Sequence, residues 1–235
     1  MSLDKRKVLF TCEHGGNEIP QEFNAAFDGA EGALTSHRGY DLGALDLFQK
    51  FANAPYADKA FYSTTSRLLV ELNRSRHHPR LFSEFTQPLQ EEEKRQIITQ
   101  HYLPYRQKVE EQIHDWIQEG YQVLHISVHS FTPVLDGEKR KADIGLLYNP
   151  GREREQLFAS KWRQEISRLD GDYKIRYNYP YKGTADGFVT LLRRKHTPEE
   201  YAGLELEVNQ KFALGSPEDW LVLQNVLVSS CGKAL

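Results

Sequence analysis

The chain has 235 residues, long enough to bury about three quarters of its unfolded surface without staples. Hydrophobic residues make up 39% and charged residues 27%, an ordinary globular balance, and no apolar run reaches the ~18 residues that a membrane-spanning helix needs. With 30 basic against 33 acidic side chains the formal charge is −3, which removes the electrostatic basis for a nucleic-acid binder and points to small-molecule partners.

Met1 to Lys7 is charged, and only Val8-Leu9-Phe10 follow as an apolar run, too short for the core of a signal peptide. Ser2-Leu3 is set aside as a remnant of expression. Two cysteines, Cys12 and Cys231, make neither a disulfide framework nor a Cys-x-x-Cys site, so a cytoplasmic location is expected. Val8 to Cys12 has the continuous apolar, β-branched pattern of a strand buried on both faces, and similar runs recur at 68–72, 123–128, 144–148 and 204–208. Asp41 to Phe51 carries apolar residues at helical offsets. Glu91 to Glu119 is a long charged amphipathic stretch with a bend expected at Pro104, and further helices are expected over 156–169 and 217–228. Ser216 and Pro217 suit the N-cap and first position of the last one. Strands alternating with helices, without repeat, linker or low-complexity tract, predict one α/β domain over 1–235 with a largely parallel or mixed sheet.

In such sheets ligands sit beyond the carboxyl ends of the strands, and here those ends are polar. His14 follows the first strand in Cys12-Glu13-His14-Gly15-Gly16-Asn17, and His129 ends the 123–128 run. Two imidazoles at the ends of separate strands suit a catalytic zinc, which takes three protein ligands and keeps one position open. Asp41, Asn17 and Glu13 are the candidates for the third ligand, and carboxylate chemistry favours Asp41. Glu205 and Glu207 share one face of the 204–208 run, where paired carboxylates fit proton transfer unless the strand is a solvated edge. Asn73-Arg74, with Arg67 upstream, offers guanidinium forks for an anionic substrate.

Together these pieces resemble the N-formylglutamate amidohydrolase family, a branch of the zinc carboxypeptidase-like amidohydrolases. The resemblance runs from Cys12-Glu13-His14-Gly15-Gly16-Asn17 through His37-x-Gly-Tyr-Asp41, Ser66-Arg67 to Asn73-Arg74, and Ser127-Val128-His129-Ser130. It continues through Asp143-Ile-Gly-Leu-Leu, Asn178-Tyr-Pro-Tyr181-x-Gly183 and Leu206-Glu207-Val208-Asn209-Gln210. It implies a three-layer α/β/α sandwich of the phosphorylase/hydrolase type, with one zinc ion per chain. It further implies hydrolysis of the amide of an N-formyl or N-acyl amino acid, N-formylglutamate first among them. His14 and His129 would hold the metal and Glu207 would be the catalytic acid–base, with Glu205 its variable neighbour. Asn73 and Arg74 would grip the substrate carboxylate, with Arg67 and Tyr181 beside them and Arg67 or Arg193 at the oxyanion. The wider group carries a glutamate ligand three residues after its first histidine, where this chain has Asn17. A different N-acylamino acid or peptide-like amide, or a non-catalytic module binding metal or anions, is the alternative.

Overall fold

A strand can be buried at every position only if both faces of its sheet are covered, and Val8–Cys12 and Val123–Phe131 are buried throughout. The structure is a computed structural model describing residues 5–235, so Ser2 and Leu3 lie outside the described residues. In chain order the strands are β1 (Arg6–Cys12), β2 (Lys59–Tyr62), β3 (Gln122–Phe131), β4 (Val134–Leu135), β5 (Glu138–Lys139), β6 (Ile144–Leu147), β7 (Ile175–Tyr177) and β8 (Tyr201–Asn209). The helices are α1 (Glu31–Leu34), α2 (Ala44–Ala52), α3 (Glu91–Ile97), α4 (Leu103–Gln118), α5 (Glu153–Leu169), α6 (Phe188–Lys195) and α7 (Pro217–Ala234). The six-stranded sheet has the order β2-β1-β3-β8-β6-β7; every neighbouring pair is parallel except β8 with β6. β4 and β5 form a separate hairpin.

Alternation along β3 and β8 assigns the two faces. Leu124, Ile126, Val128, Ala202, Leu204 and Leu206 pack with residues of α2, α5 and α7. Val123 and Tyr201 point the other way, into a cluster with Val109 and Ile113 of α4 and Phe188 and Leu192 of α6. Helices thus cover both sides, giving the expected three-layer α/β/α arrangement around a mixed, largely parallel sheet. Among the described residues no helix is long and apolar enough to cross a membrane.

Three expectations need correction. Leu68 to Leu72 forms no strand; Leu69 N–H bonds to Ser66 O at 3.0 Å and Arg74 N–H to Glu71 O at 3.2 Å, the short-range bonds of consecutive turns. Pro104 breaks nothing, because a π-helical turn over Ile98–Tyr102 joins α3 to α4 and the proline falls in the first turn that follows. The helix expected from Asp41 starts at Ala44, after Gly43 at φ 78°. Of the two readings of 204–208 the buried one holds: β8 lies between β3 and β6.

Candidate active site

β1, β3 and β8 are parallel and adjacent, so their carboxyl ends converge on one side of the sheet. The face of β3 and β8 that turns toward α4 and α6 starts apolar with Val123 and Tyr201 and becomes polar along the strands. His125, Ser127 and His129 follow on β3, with Glu205 and Glu207 as the register partners of Ser127 and His129 on β8. His14 comes from the turn after β1, and Asp41 N–H bonds to His14 O at 3.0 Å, which brings the segment before α2 into the same corner.

His14, Asp41 and His129 are all buried, and one donor atom from each lies within 4.8 Å of the others. Asp41 Oδ2 is 3.2 Å from His14 Nδ1 and 2.9 Å from His129 Nδ1, and the imidazole centroids are 5.0 Å apart. The opposite ring nitrogens face further carboxylates. His14 Nε2 contacts Glu71 Oε1, and His129 Nε2 lies 3.3 Å from Glu13 Oε2. Arg67 fixes the Asp41 and Glu71 carboxylates, donating Nη1 to Asp41 Oδ1 at 3.0 Å and Nε and Nη2 to Glu71 Oε2 at 2.9 and 2.6 Å.

Burial alone would raise the pKa values of these carboxylates, but partners outweigh it. His14 and His129 hold Asp41 well below its usual range, Arg67 and His14 do the same for Glu71, and His129 and Ser127 lower Glu13. Three lowered carboxylates thus surround Arg67 and the two imidazoles; with the imidazoles neutral, as metal ligands must be, only the Arg67 guanidinium opposes them, and the excess negative charge suits a divalent cation. The His-Asp-His donor set is also one that zinc accepts, so the residues present fit a metal ion.

The family profile of N-formylglutamate amidohydrolase matches residues 6–214. The chain belongs to the N-formylglutamate amidohydrolase family. No curated protein matches it. Its fold is shared with the crystal structure of gene product Atu2144 from Agrobacterium tumefaciens at a TM-score of 0.81 and 24% identity, over 97% of this chain and 90% of that one. It is shared also with N-formylglutamate amidohydrolase from Ralstonia eutropha JMP134 at a TM-score of 0.67 and 18% identity, over 96% of this chain and 91% of that one. As a member of an amidohydrolase family, the chain is an enzyme class that cleaves an amide.

A cavity of about 300 Å³ opens over the cluster and is lined also by Glu207, Asn73, Arg74 and Tyr181. Burial pushes the Glu207 carboxyl up to about 8, and its Oε2 is buried without a hydrogen-bond partner. Asn73 bridges neighbours: its Oδ1 accepts from Phe188 N–H at 2.7 Å, at the start of α6, and its Nδ2 donates to Glu205 Oε1 at 3.3 Å. Arg74 donates Nη1 to the carbonyl of Asp186, while Tyr181 is exposed at the rim near Arg80 and Lys182.

The remaining sequence candidates lie elsewhere. Arg193 is buried away from the cavity, tied to Glu155 at 2.9 Å and to the carbonyl of Gly203 at 2.7 Å, which removes it from any oxyanion role. Asn17 donates Nδ2 to Leu34 O at 3.1 Å, outside the His-Asp-His group. Glu13 sits behind His129, where Tyr105 OH donates to its Oε1 at 3.0 Å. Sequence reasoning missed Glu71 and Ser127 as partners of the two histidines; a carboxylate inside the apolar run 68–72 was the available signal.

Proposed function

We propose that the enzyme hydrolyses the amide of an N-acylated acidic amino acid, with N-formylglutamate as the first candidate, using one zinc ion held by His14, Asp41 and His129. The observation that carries this reading is the convergence of His14 Nδ1, Asp41 Oδ2 and His129 Nδ1 in the cavity that Glu207 also lines. A zinc ion there supplies Lewis acidity, acidifying water and polarising a carbonyl oxygen.

Glu207 takes a proton from the attacking water and returns it to the leaving nitrogen, so that N-formylglutamate and water become formate and glutamate. Burial raises the Glu207 carboxyl to about 8, which favours the protonated form that returns the proton to the leaving nitrogen, and a cation in the site would favour the ionised form that takes it from water. Arg74 faces the substrate carboxylate, and Arg80, Lys182 and Tyr181 at the rim favour anionic over neutral amides. Arg67 is left to orient Asp41 and Glu71, since each of its three nitrogens already bonds one of them.

Purified protein is to be assayed for zinc and for release of glutamate from N-formyl-L-glutamate, beside N-acetyl and amide-capped analogues. Stoichiometric zinc with turnover of the formyl substrate is expected, and Glu207→Gln should keep fold and zinc while losing about 10²–10⁴ in kcat. Zinc without turnover of any analogue would overturn the catalytic reading in favour of a binding module. Faster turnover of the acetyl compound would move the assignment to another acyl group.

A further inference from the structure

We infer that Glu13 is a positioning residue for the metal site, acting on His129 through the hydroxyl of Ser127; this rests on the reading of His14, Asp41 and His129 as metal ligands. The geometry is a relay. Ser127 Oγ lies 2.5 Å from Glu13 Oε2 and 2.8 Å from His129 Nε2. An ionised carboxylate can only accept, so the serine hydroxyl donates to Glu13 and its oxygen is left to accept the Nε2–H of His129. With its proton held at Nε2, the neutral imidazole presents the Nδ1 lone pair, and Nδ1 is the atom that faces Asp41.

His14 has a counterpart of a different kind. Its Nε2 meets Glu71 directly, but Glu71 is neutralised by Arg67, whereas no lysine or arginine pairs with Glu13 among the described residues. Glu13 is 1% exposed and has only hydroxyl donors besides His129, so no salt bridge offsets its charge on the histidine. It therefore does two things: it selects the tautomer of His129, and it contributes negative charge behind the ligand, which raises the basicity of that imidazole.

The test uses the full chain, Zn²⁺ as probe and two readouts. Chelator competition gives the Zn²⁺ dissociation constant, and nitrogen NMR of the imidazoles gives the tautomer of His129. Glu13→Gln is expected to raise the zinc Kd about 10–100-fold and to mix the His129 tautomers, with the His14 signals unchanged. Ser127→Ala breaks the relay while keeping the carboxylate and is expected at the lower end of that range; it also serves if Glu13→Gln does not fold. Tyr105→Phe is the structural control, since it removes a bond to Glu13 but leaves both charge and relay, and should change the Kd less than threefold. Wild-type affinity and a pure Nε2–H tautomer in the two relay variants would overturn the inference while leaving the zinc reading intact. Failure of the wild-type chain itself to bind Zn²⁺ would overturn both.

Discussion

Arg74 and lysine carry the same charge but not the same shape, and that difference tests how the substrate carboxylate is read. A guanidinium offers two parallel donors, an ammonium a single point, so Arg74→Lys should weaken kcat/KM for an acidic N-acylamino acid by about 1.5–3 kcal/mol, roughly one to two powers of ten. The loss should fall mainly in KM and should shrink for the amide-capped substrate. An equal penalty on both substrates would assign Arg74 to holding the loop through the Asp186 carbonyl. His14→Ala and His129→Ala should each abolish stoichiometric zinc, because two remaining ligands cannot fix the ion, and Asp41→Asn should weaken it less, keeping an oxygen but losing charge. Zinc content by elemental analysis decides this, and full occupancy in either alanine variant would remove the site. The two histidines could be picked out in the sequence because they stand at strand ends where apolar runs stop, and Asp41 because carboxylate chemistry favours it as the third ligand. Glu13 and Glu71 could not be given their roles there: adjacency to His14 does not say which imidazole Glu13 faces, and Glu71 lies 57 residues from the histidine it meets.

Among the elements, the segment from Ser66 to Arg74 shows where reading by periodicity fails. Leu68, Leu69, Val70 and Leu72 are buried as a sheet strand would be, but in a satellite core with Phe23, Phe27, Ile97, Ile98 and Tyr102. Their backbone needs are met without a neighbouring strand. Thr86 Oγ1 donates to Leu69 O at 3.1 Å, Glu71 N–H to Leu81 O at 2.9 Å, and the buried Arg106 of α4 donates to Leu72 O and Arg74 O at 2.9 and 2.7 Å. An apolar run reports burial, and burial alone cannot separate a strand from a well-packed loop. The strands β1, β3, β6 and β8 were legible because they are central and read as continuous apolar runs, while β2 and β7 escaped because these edge strands are only partly buried and carry no such run. Gly145 of β6 tests how tightly one element holds the site. A Cβ there would come within 1.9 Å of Tyr179 O and 3.2 Å of the Glu207 Cβ, so Gly145→Ala must displace the 179–181 loop that carries Tyr181. A loss of about 1–3 kcal/mol in urea unfolding is expected, with a raised KM and unchanged zinc content. Unchanged KM alongside that loss would separate the loop from substrate binding.

At the scale of the whole molecule, the polar face of the sheet sets how stability depends on pH. His125 is fully buried on that face, with Nε2 2.8 Å from Thr11 Oγ1 and Nδ1 2.7 Å from Tyr201 OH. Burial pushes its pKa down to about 4; Glu13 opposes the shift, and Arg193 and His129 add to it. In the unfolded chain the same imidazole titrates near ~6.5. Between those values the unfolded state binds more protons, so the contribution of a neutral His125 is complete above about pH 6.5 and is lost as the pH falls toward 4. The window is worth on the order of 3 kcal/mol, a large part of the ~5–15 kcal/mol that holds a typical domain together. The lowered carboxylates Asp41, Glu71 and Glu13 act in the same direction but in a lower window, since their stabilisation is lost only as the pH falls below the ordinary carboxylate range. His129, whose pKa is raised by Asp41 and Glu13 against the effect of burial, acts oppositely: its contribution is complete below ~6.5 and is lost as the pH rises through its folded value. Comparing the wild type with His125→Gln removes these shared slopes, because both chains keep the other groups. Urea unfolding from pH 8 to 4.5 should show the variant less stable at pH 8, with the gap closing as the pH falls and the wild type alone loses the His125 contribution. A constant gap across the range would mean that His125 does not titrate between the folded and unfolded values assigned to it, and that the acid sensitivity of the fold resides in the carboxylates around His14 and His129.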